Sequence, residues 1–178
     1  MIRYNSTKQG NFIRMMPSGT TPPIELDDRD RRILELLQQD GRMANSDLAE
    51  RVNLSASACL RRVKRLEELG VIDRYVALLG RSRLGRAGTA FLLIKMERQS
   101  QDLFKQFERA IVEIPEVLEV HLIAGDADYI VKMAYRDAPD FERLYFEDLL
   151  NLPGVIGTQT KLSLRSVYSD TALRMRRT

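Results

Sequence analysis

The sequence predicts an α+β chain made of two unlike domains, and three observations predict it. Residues 46–69, SDLAERVNLSASACLRRVKRLEEL, divide into two amphipathic helices around a tight turn. From Thr89 onward the apolar pattern changes, and alternating strand-like runs interleave with helical ones in the order βαββαβ. Charge divides along the same line: the chain is +3 overall, yet residues 88–171 carry nine Lys or Arg against fourteen Asp or Glu, a net of minus five.

Composition bounds what each part can be. The 178 residues allow one or two small domains, since domains commonly hold about 100–150 residues. No apolar run approaches the ~20 residues that a membrane-crossing helix needs, so no membrane partner is expected. With one Cys, one His and no CxxC, an internal disulfide framework is excluded and a protein zinc site is disfavoured. A reducing cytoplasm fits, with no metal and no cofactor.

Taken in order, residues 1–24 have neither an apolar signal region nor sustained periodicity, and they end in polar, Pro-rich sequence. They are expected to form a disordered arm and not a signal peptide. Met15 and Met16 offer an alternative natural start. Residues 25–72 form the first domain. Its opening helix spans residues 26–39, with Asp27 or Asp28 as cap, acids in the first turn and Ile33, Leu36 and Leu37 as an apolar stripe. Asp40 and Gly41 end it. A second helix begins near Ser46 and carries Leu48, Ala49 and Val52. Asn53 makes the turn, because asparagine follows glycine in tolerating a left-handed backbone. The third helix runs over residues 55–69, capped by Ser55 and stopped by Gly70. Leu34, Leu37, Leu48, Val52, Val63 and Leu66 are the expected core.

Residues 71–79 read as extended, and residues 73–88 as a basic linker with four Arg against one Asp up to residue 86. Residues 89–168 form the second domain: a strand at 89–96, a helix at 101–114 ended by Pro115, strands at 117–123 and 128–135 around a turn at 124–127, a helix at 139–150, and a last strand at 155–167 with an irregularity near Gly157. This order is the ferredoxin-like plan, an antiparallel sheet with two helices on one face. The open face and edges invite another copy, so a homodimer at least is expected. Residues 169–178 are a basic tail.

The third helix carries the chemistry. Cys59, Val63, Leu66 and Leu69 lie on one side. Arg61, Arg62, Lys64 and Arg65 crowd the rest, with no acid between Ser55 and Leu66, and Ser55 and Ser57 place small hydroxyls at its entrance. A DNA major groove admits one helix, whose first turns meet base edges while long cations reach phosphates. Double-stranded DNA is thus the expected partner, with Ser55, Ser57 and Arg61 near bases and Arg62, Lys64 and Arg65 near phosphates or bracing the fold. A basic face that is merely solvated is the competing reading.

Other residues are less informative. Cys59 reads as a core residue, His121 as a surface or interface imidazole, and Glu113, Glu116 and Glu119 as a solvated rim. There is no P-loop, no G-x-S-x-G and no Cys/His pair with catalytic logic, so an enzyme is not expected.

The run LDDRDRRILELLQQDGRMANSDLAERVNLSASACLRRVKRLEELGVIDRYVALL, followed by GDADY and LPGVIGTQTKL, resembles the leucine-responsive and asparagine-regulator (Lrp/AsnC, feast/famine) transcription regulators across residues 26–173. The resemblance implies a winged helix-turn-helix on DNA and an assembly built from dimers, often an octamer. It also implies a small effector, typically an amino acid, bound between ferredoxin-like domains. Two departures stand out: Asn53 where the family usually has Gly, and Ala124 where it usually has Thr or Ser. An amino acid offers an ammonium and a carboxylate. Asp126 and Asp128 supply acceptors for the first, and backbone amides near Gly125 approach the second. Thr158 and Thr160 match the family segment that lines the same pocket. Read without the resemblance, Gly125 and Asp126 are a hairpin turn. Tyr129 reads as packing. The leading reading is a sequence-specific, effector-responsive transcription regulator. The alternative is an architectural protein that wraps DNA with little sequence preference and no effector.

Overall fold

A computed structural model describes residues 24–175. The expected N-terminal arm, apart from Ile24, and residues 176–178 of the tail lie outside the described residues. The described chain divides into two compact bodies, residues 79–166 in one and residues 24–78 with 167–175 in the other.

The first body is helical. Helix α1 (Asp28–Gln39) starts where it does because the Asp27 carboxylate accepts the Asp30 N–H at 2.8 Å, satisfying one of the amides that a helix start leaves bare. Helix α2 (Asn45–Arg51) buries Leu48 and Ala49. Asn53 follows at φ 53°, the non-glycine residue in the left-handed region among the described residues, and the Leu54 N–H closes back onto the Ala49 carbonyl at 2.9 Å. Helix α3 (Ala56–Glu68) is capped by the Ser55 hydroxyl, which accepts the Ala58 N–H at 3.3 Å. Gly70, at φ 70°, turns the chain out of it. Ile33, Leu36, Leu48, Cys59 and Leu66 are buried at the centre, while Leu37 and Val63 pack half-buried at the margin. Burial also pushes the Cys59 thiol above its ordinary range, so this cysteine is packing.

Residues 71–79 run on without pairing into a strand. Beyond them the linker forms a short 3-10 turn, Arg81–Leu84, absent from the expectation. The Arg81 guanidinium holds it to the next strand by donating to the Gly88 carbonyl at 2.6 Å. At the other end of the chain, residues 167–175 return to the helical body. The Gln38 side-chain amide pairs with the Leu173 backbone in both directions, at 2.6 and 3.2 Å, and Met175 packs against the helical core.

The second body contains β1 (Gly88–Met96), α4 (Gln101–Ile111), β2 (Val117–Leu122), β3 (Tyr129–Tyr135), α5 (Ala138–Arg143) and β4 (Val155–Leu162). The strands form one antiparallel sheet in the order β2-β3-β1-β4. Ala90, Leu92, Ile94 and Met96 of β1, with Tyr129, Val131 and Met133 of β3, share a core with Phe107, Ile111, Leu144 and Leu149 on the helices. Alternation along the strands turns Leu93, Glu119, Ile130 and Lys132 to the other face. The irregularity expected near Gly157 is present: the β1–β4 register shifts between Lys95, opposite Gly157, and Met96, opposite Val155.

Two elements depart from their expected form. Helix α4 stops at Ile111 because Pro115 disfavours helical backbone at Ile114, and the last turn tightens through bonds from the Glu113 and Ile114 amides to Ala110 and Ile111. The helix expected over residues 139–150 begins one residue earlier, capped by Asp137, and widens after Arg143 into a π-helical turn, Leu144–Leu149. In an α-helix, residues five apart stand about 140° apart around the axis. The wider turn brings Leu144 and Leu149 onto one face, and both are fully buried.

Candidate functional site

Helix α3 presents two classes of cation. Ser57, Arg61, Lys64 and Glu68, spaced four, three and four apart, line one side of a shallow open groove together with Leu60 and Arg65. Ser55 and Ser57 sit at its N-terminal end, exposed, with their hydroxyls 3.3 Å apart. Arg61 and Lys64 are exposed as well.

Arg62 is directed the other way. Its guanidinium donates to Asp27 at 2.7 Å and to Asp30 at 2.8 Å, both on the first turn of α1 or its cap. Arg65 donates to the second oxygen of Asp30 at 3.1 Å while 48% of its side chain stays exposed. Arg62 thus links α3 to two carboxylates at the start of α1. The Asp30 N–H and then Arg62 hold the Asp27 carboxyl below the usual carboxylate range, and the two carboxylates raise the Arg62 guanidinium. Sequence reasoning missed Asp30, though a signal was there. Asp30 shares the helical stripe of Ile33, Leu34 and Leu37, and an acid on an apolar stripe is buried only if it finds a partner.

The candidate effector residues fall into three settings. Gly125, at φ 137°, and exposed Asp126 form the β2–β3 turn, closed by the Ile123 N–H donating to the Asp128 carbonyl at 2.9 Å. Asp128 is 4% exposed, and its oxygens accept the Met96 N–H at 2.8 Å and the Gln99 amide at 3.3 Å, with the Lys95 ammonium at 3.6 Å. Its carboxyl is lowered chiefly by the Met96 amide. Asp128 therefore ties β1 to β3 and does not present a free acceptor to the loop surface. Thr158 shares a hydrogen bond of 2.7 Å with the Tyr145 hydroxyl on the helix side of β4, and Thr160 is half-buried two residues on.

These groups do not converge within one copy. The turn joins the edge strand β2 to its inner neighbour β3, and the threonines lie on the far edge strand β4, with β1 between β3 and β4. Two to three strand spacings separate them by about 10–14 Å laterally. Tyr129 is packing, as expected: it is 1% exposed against Phe104 and Phe107, and its hydroxyl donates to Glu108 at 2.8 Å. The expected acidic rim needs correction at Glu116, which is 8% exposed and paired with Arg86 at 2.8 Å because the linker folds back over the start of β2. His121 is an exposed neighbour of Glu119.

Comparison with known proteins matches residues 26–73 to a winged helix-turn-helix DNA-binding domain and residues 89–173 to the Lrp/AsnC ligand-binding domain. The chain is 40% identical over 159 residues to the leucine-responsive regulatory proteins of Escherichia coli K12 and Salmonella typhimurium, covering 89% of this chain and 97% of each relative. The chain belongs to the Lrp/AsnC family. Similar solved structures include a Neisseria meningitidis transcriptional regulator in complex with L-methionine (TM-score 0.80, 34% identity, 84% of this chain and 97% of that one). They also include the M. tuberculosis feast or famine regulatory protein, likewise complexed with L-methionine (TM-score 0.75, 31% identity, 84% and 99%). As an Lrp/AsnC protein the chain is a DNA-binding transcription regulator with an effector-binding domain, and its relatives are regulators and not enzymes. No helix among the described residues is long and apolar enough to cross a membrane.

Proposed function

We propose that the chain reads specific DNA sites through the exposed side of α3 and responds to an amino acid held between copies of its second domain. In this reading Ser55, Ser57 and Arg61 face base edges and Lys64 faces phosphate. Arg65 divides its guanidinium between Asp30 and phosphate, and Arg62 fixes the helix to α1. The observation that carries the reading is the exposed stripe of Ser57, Arg61 and Lys64, backed by arginines anchored in the fold. A two-fold pair of such helices places half-sites about one helical turn apart, ~34 Å, or at multiples of it. Footprinting against random competitor DNA tests this: discrete, phased protection supports regulation at defined sites, and uniform protection supports the architectural alternative.

Two observations support the effector half. Two solved relatives contain L-methionine. The Gly125–Asp126 turn at the β2–β3 end and the threonines on the far edge strand β4 stand apart in one sheet, so in this reading a second copy completes the pocket, and the edge strands carry exposed Leu118, Leu122, Ile156 and Leu162 suited to assembly. The effector is a free amino acid, the assembly is a dimer or a ring of dimers up to an octamer, and the location is the cytoplasm. A thermal-shift panel of the amino acids tests the effector, since a ligand specific for the native state raises the melting point by mass action.

A further inference from the structure

The network behind α3 has an uneven charge geometry. Asp30 is 1% exposed, the most deeply buried acid among the described residues, and each of its two oxygens holds a different arginine of the same helix. Arg62 and Arg65 lie three residues apart, so both point toward α1 from one side of α3, whereas Arg61 and Lys64 lie on the groove side. Of these two arginines, half-exposed Asp27 pairs with Arg62. Two carboxylates thus neutralise two of the four cations that the sequence places on this helix.

We propose that Asp30 is a specificity-determining residue that touches no DNA. The inference rests on the reading of α3 as the DNA-contacting helix. Attraction to phosphate is indifferent to sequence, and each neutralised phosphate steepens the salt dependence by about 0.9 in log–log slope. Base readout instead needs the helix held at one rotation about its axis, because hydrogen bonds to base edges lose strength quickly with angle. The Asp30 carboxylate serves both requirements. It withholds Arg62 and part of Arg65 from phosphates, which limits binding to any sequence. It also locks α3 against α1 at two points one helical turn apart, which preserves binding to the right one.

Asp30→Asn tests this, with affinity for a cognate duplex and for a scrambled duplex measured across a salt series. We expect scrambled-site affinity to rise roughly three- to tenfold at low salt, with a slope steeper by about one. Cognate affinity should stay level or fall, so the specificity ratio drops at least tenfold. A merely structural role would lower both affinities by one factor at unchanged slope, and that result overturns the proposal. So does an equal rise in both, which leaves the ratio intact. Should Asp30→Asn fail to fold by circular dichroism, Asp27→Ser retains a helix cap and removes one of the two carboxylates. It should shift slope and ratio the same way by a smaller amount, and no shift in a folded Asp27→Ser protein overturns the proposal. Failure of the underlying reading looks different: the unaltered protein would then bind neither duplex in a salt-dependent way.

Discussion

The carboxylate of Asp128 accepts the backbone N–H of Met96 across the β1–β3 pair at 2.8 Å, in a site only 4% exposed. A buried carboxylate is tolerated there because the amide, Gln99 and Lys95 replace its water shell. Asp128→Ala leaves the Met96 amide unpaired and should cost about 2–4 kcal/mol, whereas Asp128→Asn keeps one acceptor and should cost about half as much. Urea denaturation of both variants checks the order; equal stabilities would show that the contact contributes little.

The same contact sets a pH dependence. The folded-state pKa of Asp128 is depressed, mainly by the Met96 amide, so the unfolded chain takes up its proton first as pH falls. The stabilisation is therefore complete above the unfolded carboxylate pKa of about 3.9 and is lost as pH drops through the lower folded value. Stability measured from pH 6 downward should fall less steeply in Asp128→Asn than in the parent, because one carboxylate of depressed pKa has been removed.

The turn between α2 and α3 offers a sharper backbone test. Asn53 stands at φ 53°, where glycine is unstrained and a β-branched residue is not. Asn53→Gly should be within about 0.5 kcal/mol of the parent, and Asn53→Val should lose about 1–2 kcal/mol. Ser55→Ala removes the acceptor for the Ala58 amide and should cost about 1 kcal/mol. Melting temperatures of the three variants decide the matter.

Where local chemistry determines structure, the sequence was readable. The cap at Ser55, the left-handed Asn53, the stop at Gly70 and the β irregularity opposite Lys95 all follow from residue type and spacing, and the two-domain α+β fold follows from the change in period at Thr89. What escaped depends on distant partners. Nothing local tells that Leu144 and Leu149 must share a face, and so the π turn was not visible. Asp128 reads as a loop acceptor until Met96, thirty-two residues earlier, is seen bonded to it. Arg62 could face phosphate or protein until Asp30 is placed beside it. The candidate effector residues come from separate stretches of sequence, and only the strand order shows that the Gly125–Asp126 turn lies at the β2–β3 end while Thr158 and Thr160 lie on the far edge strand β4.

The two classes of cation on α3 should separate cleanly by mutation. Lys64→Ala should weaken binding to all sequences alike and flatten its salt dependence by about one in slope, whereas Arg61→Ala should cost about 1–3 kcal/mol at the preferred site and relax specificity there, each with the melting point nearly unchanged. Arg62→Ala should instead destabilise the helical body by about 3 kcal/mol, because it leaves Asp30 short of a partner in a buried site. Binding isotherms over a salt series, paired with thermal melts, check the division. A melting point that is unmoved in Arg62→Ala would remove the bracing role.

Separation of the candidate effector residues, the turn at the β2–β3 end and the threonines on the β4 edge, makes a complementation test possible. If one copy contributes the Gly125 and Asp126 turn and another contributes Thr158 and Thr160, then Asp126→Ala and Thr160→Val should each abolish the rise in melting point caused by the effector amino acid. At a ligand concentration 100 times Kd that rise corresponds to about 2.7 kcal/mol. When the two variants are unfolded, mixed and refolded together, mixed pairs form. In each such pair one composite site collects both substitutions and the other collects neither. Binding should therefore return to a fraction of the mixed sites, with the parental affinity, as counted by calorimetry. A pocket contained within one copy would leave every site in the mixture carrying its own defect, and no binding would return.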